Sequence, residues 1–167
     1  MMAADKASTP TTPDRDYTIT RIVDAPRELV FEAWTEPAHF THWFGPHGFA
    51  TPLSTISLDV RPGGTWRATM VAADGTEAPI HGVYREVARP ERLVFTTGDP
   101  DNTSGEVASV ATMTLTELDG ATEMVFHQAG YNTDQAHADA AKAGWIEFFE
   151  RLAAHLAHYQ AQARAEH

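Results

Sequence analysis

The strongest constraint on the fold is one amphipathic stretch near the C-terminus, from about Asp134 to Ala163. Within it Ala141, Trp145, Phe148, Phe149, Leu152, Leu156 and Tyr159 recur at spacings of three and four. That period marks an α-helix with a single apolar face. The 24 residues from His137 to Gln160 extend roughly 36 Å at 1.5 Å per residue. A compact chain of 167 residues has a diameter of about 40 Å. The helix therefore crosses the whole body, and a broad apolar surface has to cover its stripe.

The middle of the chain supplies that surface as antiparallel strands punctuated by tight turns. Arg61-Pro62-Gly63-Gly64 separates PLSTISLDV from TWRATMV, Asp74-Gly75 precedes IHGVYREV, Arg89-Pro90-Glu91-Arg92 leads into LVFTT, and Asp119-Gly120 joins ATMTLTEL to TEMVFHQ. Such residues supply the backbone angles that hairpins need. Apolar residues alternate as Ile56, Leu58, Val60, then Trp66, Ala68, Met70, then Ala111, Met113, Leu115, so one face of the sheet is buried. Only 98 to 107 reads as a longer mobile loop. With one long helix and many strands, parallel βαβ winding is not expected.

Before the sheet, YTITRIV reads as a strand ending at Asp24-Ala25-Pro26, where Asp24 is placed to cap a helix that tolerates Pro26 in its first turn. Leu29, Val30, Ala33 and Trp34 share a helical face, Pro37 interrupts, and a second short helix through Phe40, Trp43 and Phe44 stops at Gly45-Pro46. Residues 1–16 hold only Ala and Met as apolar residues and are expected to be a disordered tail. With 43% apolar residues, residues 17–163 make one domain with a sizeable core.

The segments DAPRELVFEAWTEPAHFTHWFGPHGF (24 to 49), LDVRPGGTWRATM (58 to 70), GVYREVARPERLVFT (82 to 96) and GWIEFFERLAAHL (144 to 156) resemble the SRPBCC, or START-like, superfamily. The resemblance is to its branch named after the activator of the heat-shock-protein-90 ATPase. It implies an α+β helix-grip fold, with a curved antiparallel sheet of six to seven strands around a long C-terminal helix and two short helices after the first strand. The frequent Trp-Trp-Gly-Pro of the family stands here as Trp43-Phe44-Gly45-Pro46. The superfamily hosts lipid carriers, cyclases, hydrolases and sequestering proteins, so the resemblance does not choose among them.

A curved sheet closing on one helix leaves a gap, and the architecture places ligands there. By strand parity or helix face, the side chains placed to line it are Trp43, Phe44, Trp66, Met70, Tyr84, Phe95, Met113, Trp145 and Phe149. Each of them would equally serve as ordinary core. Gly144, at the margin of the aromatic stripe, leaves room for a ligand or for close packing by a strand, and close packing is the favoured reading. Among polar candidates on strands (Arg67, His81, Tyr84, Glu123, His127), Tyr84 is preferred, because its hydroxyl can orient a carbonyl or phenol.

Three readings of function follow. The first is a binding module for a small apolar or aromatic molecule. The second is a cyclase- or hydrolase-type enzyme using the same cavity, with Tyr84 and one histidine moving a proton. The third is a protein-interaction module resembling the chaperone-ATPase activator, although the activator's further N-terminal domain is not represented here. Homodimerisation through exposed strand or helix surface is compatible with each.

Charge and composition exclude other classes. Twelve basic against twenty-three acidic residues leave a net charge of −11, the wrong sign for nucleic acid or an anionic membrane. No cysteine is present, which removes disulfides, thiolate metal sites and thiol catalysis. His39, His42 and His47 form one local group and His155 with His158 another. Neither matches zinc-ligand spacing, so no metal is assigned and the rings are read as solvated helix surface. Phosphate-loop, dinucleotide and nucleophile-elbow motifs are absent, and no cofactor is implied. Without a membrane-length apolar run or signal-peptide pattern, a cytoplasmic protein is expected.

Overall fold

The computed structural model describes residues 15–98, 109–130 and 135–165. The order is β1 (Arg15–Val23), α1 (Arg27–Thr35), α2 (Pro37–Trp43), β2 (Phe49–Ala50), β3 (Ser57–Leu58), β4 (Thr65–Ala72), β5 (Glu77–Ala88), β6 (Arg92–Thr97), β7 (Ser109–Leu118), β8 (Ala121–Gly130) and α3 (Gln135–Ala165). The strands form one antiparallel sheet in the order β1-β8-β7-β6-β5-β4-β2, with β3 also paired to β4. With α3 and the two short helices this is the helix-grip fold. The sheet has eight strands rather than six or seven. The segment expected as one strand, PLSTISLDV, divides because Pro52 starts a 3-10 turn at Leu53–Thr55, closed by the Thr55 hydroxyl donating to Pro52 O at 2.7 Å.

β1 pairs with β8 along its length, from Arg15↔Gly130 to Val23↔Thr122, so the expected tail gives up its last two residues to the sheet. Residues 1–14 lie outside the described residues, as does most of the 98 to 107 loop. Asp24 does not cap α1. Pro26 occupies that position without a side-chain bond, and the entering carbonyl of Ala25 accepts instead from Thr122 Oγ1 at 2.7 Å. The β7–β8 hairpin turns on Asp119 (φ 51°) and Gly120 (φ 91°), the left-handed pair that a two-residue turn demands.

β5 carries a register irregularity between Tyr84 and Glu86. The strand pairs with β4 up to Val83 and with β6 from Tyr84, where the register shifts. Gly82 allows the crossing. A Cβ there would lie 1.7 Å from Thr96 O and 2.5 Å from Trp66 Nε1, in the space where that indole donates to Thr96 O at 3.0 Å. On α3 the residues Trp145, Phe148, Phe149, Leu152 and Leu156 are buried against the sheet and the short helices. Tyr159, expected to continue the stripe, is 41% exposed, so the buried face ends at Leu156. Among the described residues no helix is long and apolar enough to cross a membrane.

Candidate functional site

The space between sheet and α3 is filled by aromatic rings centred on Trp34 of α1. Its indole meets Trp43 edge-on at 4.9 Å between ring centroids and stacks with Phe126 at 6.0 Å and Trp145 at 6.1 Å. Such contacts are worth about 0.5–1.5 kcal/mol each beyond area burial. The void remaining in this core measures about 10 Å³ and is lined by Trp34, Phe40, Phe44, Trp66, Tyr84, Leu93 and Phe95. That holds about one water molecule, whereas a dry cavity that takes benzene is about 150 Å³. Among the described residues, the enclosed hollow expected from the architecture is therefore filled at this point of the core.

Of the nine side chains expected at the cavity, Phe44, Trp66, Tyr84 and Phe95 border the void. Trp43, Met113, Trp145 and Phe149 are buried in the surrounding core without bordering it. Met70 is only partly buried, near the Gly45 turn, where a Cβ on Gly45 would meet its Cγ at 3.7 Å. Three lining residues, Trp34, Phe40 and Leu93, were not singled out by sequence. A Cβ on Gly144 would meet only Phe148, at 4.0 Å. Among the described residues no strand presses on it, so close packing is not its reason.

One buried polar atom at the void, the Trp34 Nε1, lacks a partner among the described residues. Trp43 Nε1 donates to Ala33 O at 2.9 Å and Trp66 Nε1 to Thr96 O, but the Nε1–H of Trp34 is buried with no acceptor. Few buried donors in native proteins are left this way. Tyr84 is 3% exposed, and among the described residues nothing hydrogen-bonds its hydroxyl. Burial, and secondarily the charge of Asp59, push its pKa up, so the phenol stays protonated and neutral. Arg67 and His81 face each other across β4 and β5 in a separate, open groove of about 590 Å³. Glu123 and His127 stand half-buried on β8 at positions alternating with the buried Met124 and Phe126. None of these four lines the void.

The histidines depart from the expectation of solvated helix surface. Packing of α2 on α3 brings the two sequence-distant groups together. His39 is 8% exposed, and its Nδ1 lies 2.9 Å from His155 Nε2. The His42 ring stacks on His155 at 4.8 Å with planes 12° apart, and Tyr159 meets His39 edge-on at 4.8 Å. Together with His158 these rings line an open groove of about 400 Å³. His155 is pushed down to about 4, first by burial and then by the neighbouring His42, His39 and His158. Among the described residues no three ligating side chains are placed to hold a metal ion. His47 stands apart, its ring 3.0 Å from Glu150 Oε1 and its backbone N–H donating to Glu147 Oε1 at 2.9 Å.

The sequence profile of the family described as activator of Hsp90 ATPase homolog 1-like protein matches residues 24–157. Similar solved structures include the AHSA1 protein from Silicibacter pomeroyi, at 26% identity and TM-score 0.75, covering 86% of this chain and 98% of that one. A Chromobacterium violaceum protein shares 26% identity at TM-score 0.73, covering 83% and 94%. A Mycobacterium smegmatis protein shares 26% identity at TM-score 0.67, covering 84% and 86%. Among curated proteins none matches the chain.

Proposed function

The chain belongs to the activator of Hsp90 ATPase homolog 1-like family, within the SRPBCC superfamily, and on that premise we propose that it binds a small apolar or aromatic molecule bearing a hydrogen-bond acceptor. The ligand is held between the sheet and α3, in contact with Trp34, Trp66, Tyr84 and Phe95. The observation that carries this reading is the buried Trp34 Nε1–H without an acceptor, on a ring that borders the void. An unpaired buried donor costs roughly 1–3 kcal/mol, and a ligand oxygen placed against it recovers part of that. The Tyr84 hydroxyl, on another residue of the same lining, can donate to a ligand acceptor or accept from a ligand donor.

A void of about 10 Å³ admits no ring, so binding requires side chains to move. Phe40 and Phe44 are the lining residues that α2 and its C-terminal cap supply. They leave the void when α2 shifts, whereas Trp66, Tyr84, Leu93 and Phe95 stand on strands. Less supports catalysis in the same space, because Tyr84 has no titratable hydrogen-bond partner among the described residues and its phenol is held neutral. A chaperone-directed role has the family's name as its only support.

Titration calorimetry with 2-naphthol and with naphthalene tests the reading. The acceptor-bearing compound binds about tenfold more tightly, the equivalent of about 1.4 kcal/mol, and raises the melting temperature as any ligand of the native state does. Absence of binding by both compounds overturns it.

A further inference from the structure

We propose that the contact between α2 and α3 is an acid-sensitive latch over the interior: the packed rings of His39, His42 and His155 hold it closed, and a proton taken up at His155 releases α2. This rests on the ligand reading above, because α2 and its cap carry two side chains that fill the void, Phe40 and Phe44.

The geometry disfavours charge on both rings of a touching pair. His39 Nδ1 and His155 Nε2 stand 2.9 Å apart and share one proton, because a hydrogen bond needs a donor on one side and a lone pair on the other. With both rings charged, two N–H groups confront each other at that distance. The His42 ring lies face to face with His155, and a second positive charge there repels the first at stacking distance. Among the described residues opposite charge is scarce: Glu36, at the start of α2, is the one carboxylate of those residues that lines the groove. One turn earlier on α3, Arg151 adds a further cation, already donating to the carbonyls of Gly45, Pro46 and Phe49. His158, exposed on α3, adds a fourth imidazole, and Tyr159 and Gln162 complete the wall as neutral groups.

The direction follows from linkage. His155 in the closed state sits at about 4, below the ordinary value of about 6.5. An opened seam takes up its proton first as pH falls, and mass action draws α2 away between those two values. Short helices such as α2, seven residues long, have little intrinsic stability once a packed face is lost.

Hydrogen-exchange protection factors of the full chain provide the test, since they remove the intrinsic pH dependence of exchange. Between pH 7 and pH 5, protection across 37–44 falls at least tenfold while β7 and β8 keep theirs. In His155→Gln, which retains a hydrogen-bonding group but cannot take a charge, the fall is under twofold. His42→Gln, which removes only the stacked ring, gives an intermediate fall. Equal falls in the native chain and His155→Gln, loss of protection throughout the sheet at the same pH, or no change across 37–44 each overturn the latch. The ligand reading fails separately, if 2-naphthol does not bind at pH 5 or pH 7 while 37–44 still loses protection as stated.

Discussion

A hydroxyl with no partner adds nothing to stability that a phenyl ring lacks, so the two roles open to Tyr84 part at a single atom. As a core residue its hydroxyl would be expected to reach a backbone carbonyl, and removal would cost about 1 kcal/mol. No such bond exists among the described residues. Tyr84→Phe therefore changes urea-unfolding stability by less than about 0.5 kcal/mol at pH 7, yet weakens 2-naphthol binding several-fold. Unchanged binding removes Tyr84 from the site. Gly82 presents the opposite case, where one added methyl is intolerable. Its Cβ would fall 1.7 Å from a backbone oxygen and 2.5 Å from the bonded Trp66 Nε1, so strand backbone has to shift and the Trp66–Thr96 bond is strained. Gly82→Ala costs about 3 kcal/mol or more by overpacking, measured by urea unfolding, and loss of the Trp66–Thr96 bond shows as a change in tryptophan fluorescence.

Between elements, the segment after α2 is tied to α3 by Arg151 as well as by the contacts of His47 with Glu147 and Glu150. Arg151 Nη1 donates to Gly45 O at 2.9 Å and to Pro46 O and Phe49 O at 3.1 Å each, and Pro46 O also accepts from the Phe49 N–H at 3.1 Å. Arg151→Met keeps most of the side-chain length and leaves those acceptors to water. It lowers stability by about 2 kcal/mol, with exchange at 45–49 rising ahead of the sheet. Elements differ sharply in how far their placement could be read from sequence. The α3 stripe was legible because a 3.6-residue period needs no partner to be seen, and the Asp119-Gly120 hairpin because its backbone angles are local. The expected strand PLSTISLDV proved to be a 3-10 turn followed by the short β3, a break hidden because Ile56, Leu58 and Val60 keep a strand's alternation just after the turn. Trp34 was legible as a buried face of α1 but not as the hub of the core, which depends on how α1 lies across the sheet. The meeting of His39 and His42 with His155 could not be read at all. Residues 116 apart come together only when two helices pack, and each pair alone has the look of a polar helix surface.

For the molecule as a whole, stability against pH is bounded by groups that the fold holds neutral. Tyr17, on β1, is half-buried and donates to Gln128, and burial pushes its pKa up, as it does that of Tyr84. The folded state then holds these protons more tightly than the unfolded chain, whose tyrosines titrate near 10. Their contribution is complete below pH 10 and is lost as pH rises beyond it. His155 limits the acid side with the opposite shift. The unfolded chain binds that proton near 6.5 and the fold only at about 4, so the stability present above 6.5 drains away as pH falls to 4. The overall charge points the other way. At −11 the folded chain repels itself, and acid that protonates histidines relieves this repulsion, which favours the compact state. A fall in melting temperature between pH 6.5 and pH 5 therefore sets one buried imidazole against the field of the whole protein. His155→Gln keeps the field and removes the imidazole, so its melting temperature should hold or rise over the same interval. Parallel falls in the native chain and the variant would place the acid sensitivity elsewhere in the molecule.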